Sequence, residues 1–100
     1  MADDVNLPDD RSRERRTITD GFFEREVYLS RAETAAFLRD LADSIDDGTT
    51  LTISSADWEI PFEYGEPIEV EVEFAERRTR ELEIELEFTE PEGGGDLSVE

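Results

Sequence analysis

Two stretches in which apolar and acidic residues strictly alternate constrain the fold more than any other feature. Ile68 to Phe74 reads IEVEVEF, and Glu81 to Phe88 reads ELEIELEF. A period of two is typical of strands that have one buried and one exposed face. The intervening AERRTR has a length that suits a hairpin loop. The sequence therefore predicts a hairpin with its apolar side chains in a core and its glutamates in solvent.

The same alternation restricts the register of this hairpin. A slip of one residue would bury the glutamates, so Phe74 must lie opposite a residue of like parity, such as Leu82 or Arg80, and glutamate must lie opposite glutamate. Like charges directly opposite each other destabilise a sheet by a few tenths to about 1 kcal/mol per pair. We predict that this glutamate face is a partner surface, formed by Glu69, Glu71, Glu73, Glu81, Glu83, Glu85 and Glu87.

Composition indicates what reduces this repulsion. The chain has 29 Asp+Glu against 10 Lys+Arg, a formal charge of −19 on 100 residues, and every basic residue is arginine. A compact state of this charge repels itself in dilute buffer, whereas in molar salt the screening length falls to about 3 Å. The sequence therefore predicts a cytoplasmic protein of a halophile, with diffuse K⁺ or Mg²⁺ counterions. A disordered acidic protein is the alternative, but 36% hydrophobic residues in periodic arrays argue against it.

A helix is predicted in the middle of the chain. Ser30 begins SRAE, a capping box with Glu33, and apolar residues at helical spacing follow from about Arg31 to Ser44. Gly48 suits a left-handed cap at the end of this helix. The alternating FFEREVYL precedes the helix as a strand, and LTIS and WEIPFEY follow it.

The predicted fold class is α+β, a small β-α-β-β-β-β domain. One helix would pack on the apolar face of a largely antiparallel sheet, and the outer face would be acidic. We place this single domain at residues 21–89, with flexible tails at 1–20 and 90–100. No apolar run reaches membrane-spanning length, and the N-terminus lacks the features of a signal peptide.

An aromatic row, Trp58, Phe62 and Tyr64, has two interpretations. The favoured one packs the row beneath the helix. In the other, Trp58 and Tyr64 belong to a partner surface beside Pro61, which restricts its strand to an edge or a bulge.

The residue types present exclude several kinds of chemistry. The chain has no histidine and no cysteine, which removes His- or Cys-dependent nucleophiles and zinc sites. DSIDDGTTLTIS fails as a calcium loop, because Ile45 and Ser54 stand where ligands are needed. We therefore predict no enzyme activity, no catalytic residue, no cofactor and no dedicated metal site. The basic RSRERR is interpreted as a solvated tail rather than a nucleic-acid arm.

The order EREVYLSRAETAAFLRDLADSI, WEIPFEYGEPIEVEVEF and ELEIELEF resembles the small amphi-Trp domain proteins abundant in haloarchaea. The resemblance covers residues 22–88. It implies the fold and the salt habitat, and it implies no catalytic residues, because the family has no established activity. Family members typically end the last strand on tryptophan, where this chain has Phe88.

Three functions fit the sequence. The leading hypothesis is a non-enzymatic, salt-adapted interaction module that meets an unknown protein through a free strand edge or the acidic face. The same edge offers a route to a homo-oligomer. The alternatives are an acidic mimic of nucleic acid that binds a basic protein, and a cation-binding protein. Direct nucleic-acid binding and membrane association are not expected.

Overall fold

The computed structural model describes residues 4–8 and 16–91. The chain divides into two compact units, Met1–Glu63 and Tyr64–Glu100. The predicted fold class is confirmed, since one helix packs against a sheet and most paired residues lie in antiparallel ladders.

The first unit contains the helix and a four-stranded sheet. Its elements are β1 (Asp4–Asn6), β2 (Arg16–Thr17), α1 (Arg31–Asp47), β3 (Thr50–Ser54) and β4 (Trp58–Glu63). The strand order is β1-β3-β4-β2. β3 and β4 are antiparallel, and each outer strand pairs in parallel with its neighbour. The helix contacts β1 and β3, so the core of this unit lies between α1 and one half of the sheet, where Leu41 and Leu51 are buried.

The start of α1 follows the sequence prediction. The backbone N–H of Glu33 donates to Ser30 Oγ at 3.1 Å, and the backbone N–H of Ser30 donates to Glu33 Oε1 at 2.9 Å. The helix runs three residues beyond the expected end at Ser44. Gly48 terminates it with φ 156° and ψ −162°, a positive-φ conformation that favours glycine but is not the left-handed helical cap that was predicted.

Two short strands lie where the sequence predicted a flexible tail. Val5 in β1 is fully buried and pairs with Ile53. Beyond β1, the backbone N–H of Leu7 donates to the Ser54 carbonyl at 2.7 Å, and the Ser55 hydroxyl donates to the Leu7 carbonyl at 2.6 Å. Strands of two or three residues are too short to show a period of two, which is why the sequence pattern did not reveal them. Most of RSRERR lies outside the described residues, and its last arginine, Arg16, begins β2.

The segment FFEREVYL keeps its alternation but was wrong as a strand. Among the described residues it joins no ladder. Every second side chain is nevertheless half-buried, namely Phe23, Arg25, Val27 and Leu29. Alternation therefore predicted which side faces inward, whereas the pairing partner depends on the rest of the chain.

The second unit is an antiparallel hairpin of β5 (Glu69–Glu76) and β6 (Arg80–Glu87). Residues 77–79 form its turn, in which the Arg77 N–H donates to the Thr79 carbonyl at 3.0 Å. At the open end, the Gly65 N–H donates to the Thr89 carbonyl at 2.9 Å. These strands form a ladder of their own instead of extending the sheet of the first unit, which differs from the single sheet expected from sequence. Of the predicted C-terminal tail, residues 92–100 lie outside the described part of the chain.

Candidate functional site

The acidic face of the hairpin is built by the register of β5 and β6. Phe74 lies opposite Leu82, so glutamate lies opposite glutamate in three successive pairs: Glu69–Glu87, Glu71–Glu85 and Glu73–Glu83. Glu81, opposite Ala75, completes the face. All seven glutamates are exposed. The structure thus brings together every glutamate that the sequence singled out, and the predicted parity of the register is confirmed.

The electrostatic consequence of this face appears at Glu85. The pKa of Glu85 is raised above its ordinary value of 4.5, chiefly by the charge of Glu71 directly opposite. Desolvation adds to the rise, followed by the charges of Glu83, Glu87 and Glu69. Nearby like charges disfavour the ionised carboxylate. The raised pKa of Glu85 therefore shows that the glutamates of the acidic face repel one another.

The other side of the hairpin, its apolar face, is not buried as the sequence predicted. Six large side chains of this face are between 38% and 66% exposed, namely Val70, Val72, Phe74, Leu82, Ile84 and Leu86. Alternation correctly placed them on one side of the hairpin. The expectation that this side lies in a core was wrong, because a two-stranded ladder has no second layer of its own.

Trp58 lies in an aromatic cluster of the first unit. Its ring is 2% exposed and packs at 5.0 Å between centroids against Phe23. The guanidinium of Arg25 lies over both rings, at 5.3 Å from that of Phe23 and 5.9 Å from that of Trp58. The same group pairs with Asp57 at 3.6 Å. The indole Nε1 of Trp58 is buried without a hydrogen-bond partner among the described residues.

Sequence reasoning missed Arg25. The sequence did contain a signal for it: the alternation that places Phe23 and Val27 on one side of the segment also places Arg25 on that side. A cation over two aromatic faces, paired with a carboxylate, stabilises packing. This cluster therefore holds the segment 22–29 against the start of β4.

Tyr64 belongs to the second unit, apart from Trp58. It is 3% exposed and packs edge-to-face on Phe88, with 4.9 Å between ring centroids. Phe88, which follows β6, therefore forms an aromatic pair with Tyr64 at the open end of the hairpin. Trp58 and Tyr64 are both buried, which leaves neither ring available to a partner in this structure. The predicted position beneath the helix is wrong for Trp58: its ring packs on Phe23, and within the described residues α1 contacts β1 and β3 but not β4.

The hairpin turn carries the opposite charge to the strands. Arg77 and Arg78 are exposed at its tip, and Arg80 pairs across the ladder with Glu76. A concavity of about 250 Å³ is lined by Ala75, Arg77, Arg78, Thr79 and Glu81. The hairpin is therefore polarised along its length, with arginines at the turn and glutamates over the rest.

The described part of the chain contains neither a cluster of metal ligands nor a membrane-spanning helix. Within residues 4–8 and 16–91, no group of three or more acidic, histidine or cysteine residues could hold a metal ion. No helix of this part of the chain is long and apolar enough to cross a bilayer.

The fold and these surfaces define a small α+β protein with an amphipathic, acidic hairpin. Comparison of the sequence with known families is consistent with this class: the Amphi-Trp domain model matches residues 16–100, and the chain belongs to that family. The match includes β2 and everything after it, a longer span than the resemblance over residues 22–88. No curated protein and no solved structure matches the chain.

Proposed function

We propose that this protein is a non-enzymatic, salt-adapted interaction module of a halophile's cytoplasm. The observation that carries the proposal is the register of the hairpin, which stacks Glu69–Glu87, Glu71–Glu85 and Glu73–Glu83 on one exposed face. A chain of net charge −19 can keep such a face compact when concentrated salt screens it.

Composition supports a role in binding rather than catalysis. The chain has neither histidine nor cysteine, the side chains most used as bases and nucleophiles near neutral pH. Two accessible surfaces suit this role: the acidic face, and the outer strand edges of the hairpin, which pair with no other strand in the described part of the chain. A protein partner would meet one of these, because Trp58 and Tyr64 are buried.

The salt requirement is tested by far-UV circular dichroism across a KCl titration at neutral pH. We expect incomplete structure in millimolar salt and a native spectrum in molar KCl. The charge-reduced variant E71Q/E83Q/E85Q should reach its native spectrum at lower KCl than the parent. A parent spectrum that is fully native in millimolar salt would show that the acidic face does not require screening.

The role of the acidic face in binding is tested by capture of partners from a lysate in molar KCl. If the acidic face serves solvation alone, E71Q/E83Q/E85Q retains the partners of the parent. If the face imitates phosphates, the same variant loses a basic partner, since contacts from arginine or lysine to carboxylates are removed. A cation-binding role predicts that Mg²⁺ stabilises the parent more than the variant at constant ionic strength.

A further inference from the structure

The apolar face of the hairpin is the surface that the proposed function leaves unexplained. Its six side chains lie on neighbouring positions of two adjacent strands, in the pairs Val70–Leu86, Val72–Ile84 and Phe74–Leu82. At about 100 Å² of exposed apolar area for each side chain of this size, the face amounts to about 600 Å². That equals the upper end of the largest patch found on monomeric proteins, about 300–600 Å². Patches at this end of the range are often functional.

We propose that the apolar face binds the same face of a second copy of this chain, with the two hairpins antiparallel. Face-to-face packing of two copies would remove about 1,200 Å², the lower bound for a specific interface. The contact is self-complementary, as a two-fold dimer requires. It also turns both acidic faces outward to the salt solution, so like charges stay apart in the assembly.

The charge distribution along the hairpin selects the orientation. A two-fold axis along the strands would put both turns at one end, with Arg77 and Arg78 of each copy facing those of the other. An axis across the strands instead puts each turn at the open end of the other copy, where Glu66 and Glu90 are exposed. Opposite charges then meet at both ends of the dimer. Such contacts persist in concentrated salt only at short range, since the screening length is about 3 Å in molar salt.

The antiparallel arrangement has a definite register. With the axis through the central pair, Val72 lies over Val72 of the second copy and Ile84 over Ile84. The turn position Arg78 is six residues from Val72 and six from Ile84. Glu66 and Glu90 lie six residues away in the other direction, and therefore face Arg78 of the second copy. The sheets would lie about 10 Å apart, as in other stacked sheets.

The first test compares two variants that place glutamine on opposite faces of the same strands. V72Q/I84Q places glutamine at the centre of the apolar face. The matched control, E71Q/E85Q, places glutamine at the neighbouring position of each strand, on the acidic face. Sedimentation in molar KCl should show a dimer for the parent and for the control. The dissociation constant of V72Q/I84Q should rise by at least about 100-fold, because four central side chains per dimer lose their apolar contacts.

The second test fixes the orientation and does not depend on the folding of V72Q/I84Q. The natural chain contains no cysteine, so T79C at the turn and E90C at the open end each supply a single thiol. With a short bis-maleimide in molar KCl, the T79C and E90C chains should cross-link to each other more than either does to itself. Turn-to-turn cross-links would overturn the antiparallel arrangement.

Other occupants of the face give distinct results. A parent chain that sediments as a monomer at every concentration, with its apolar face covered by the rest of the same chain, would overturn the proposal. A dimer that V72Q/I84Q leaves intact would show pairing through a strand edge and would also overturn it. The proposed function rests on the opposite face of the hairpin, so the salt titration and these experiments can fail independently.

Discussion

Repulsion across the acidic face can be isolated at Glu73 and Glu83. These two glutamates lie directly opposite each other in the β5–β6 ladder, and both are exposed. Replacing either glutamate by glutamine removes the charge repulsion between the two. The second replacement therefore gains no further stability from this pair. At the lowest KCl concentration that gives the parent a native spectrum, we expect E73Q/E83Q to stabilise the hairpin by less than the sum of the two single variants. The difference should be about 0.2–1 kcal/mol, the range for cross-strand charge pairs.

Amide hydrogen exchange of β5 and β6 measures this coupling locally. A coupling of this size corresponds to a change of about 1.4- to 5-fold in the protection factors of the hairpin amides at 25 °C. In molar KCl the coupling should disappear, because the screening length falls to about 3 Å.

The matched control is E24Q/E63Q, which changes the net charge equally. Glu63 lies opposite Thr50, and Glu24 joins no ladder within the described ranges. We expect the effects of these two substitutions to add. A coupling between Glu73 and Glu83 that is absent at the lowest KCl concentration supporting the native fold, or that is undiminished in saturating KCl, would refute direct repulsion across the ladder.

Three further predictions follow from other parts of the structure. W58A should destabilise the first unit by about 3–5 kcal/mol, as other substitutions of a buried aromatic residue by alanine do. Urea unfolding followed by circular dichroism measures this, and a midpoint unchanged from the parent would contradict the buried packing. S30A should reduce stability by about 1 kcal/mol through loss of the helix cap, and S30T should restore most of it; equal midpoints for all three proteins would argue against the capping box. Because the pKa of Glu85 is raised in the folded state, chiefly by Glu71, folding takes up protons between pH 4.5 and that raised pKa. At the lowest KCl concentration that supports the native fold, protection of the hairpin amides should therefore increase as the pH falls through this window and gain nothing more from Glu85 below it. The increase should be smaller in E71Q, and a decrease across the window would contradict the raised pKa.

The best-predicted parts of the fold are those with a strong local signal. Ser30 and Glu33 satisfy each other's backbone groups within four residues, so the helix start could be identified without any tertiary information. Long alternating runs likewise defined the hairpin and the parity of its register, because an odd slip exchanges its two faces.

Features that depend on distant parts of the chain could not be predicted. β1 is three residues long and contains a single buried apolar residue, Val5, so it has no measurable period. The segment around Phe23 and Val27 alternates without entering a described ladder, since alternation describes sides and not partners. The exposure of Val72 and Ile84 has the same origin: a local pattern shows that a face is apolar, and only tertiary or quaternary structure determines what covers it.

The pairing of the hairpin has a consequence for how its alignment is encoded. Its strands repeat glutamate and an aliphatic residue so regularly that a shift of two residues keeps the same two faces and again pairs glutamate with glutamate. The contacts at its two ends distinguish these alignments. Next to the turn, Phe74 lies opposite Leu82 and Glu76 opposite Arg80; at the open end, the Gly65 N–H donates to the Thr89 carbonyl. A turn that instead placed Phe74 opposite Arg80 would preserve both surfaces and give every strand residue a new partner. The information that selects one alignment is therefore concentrated at the two ends of the hairpin, while the repeated pairs specify only which side each residue faces.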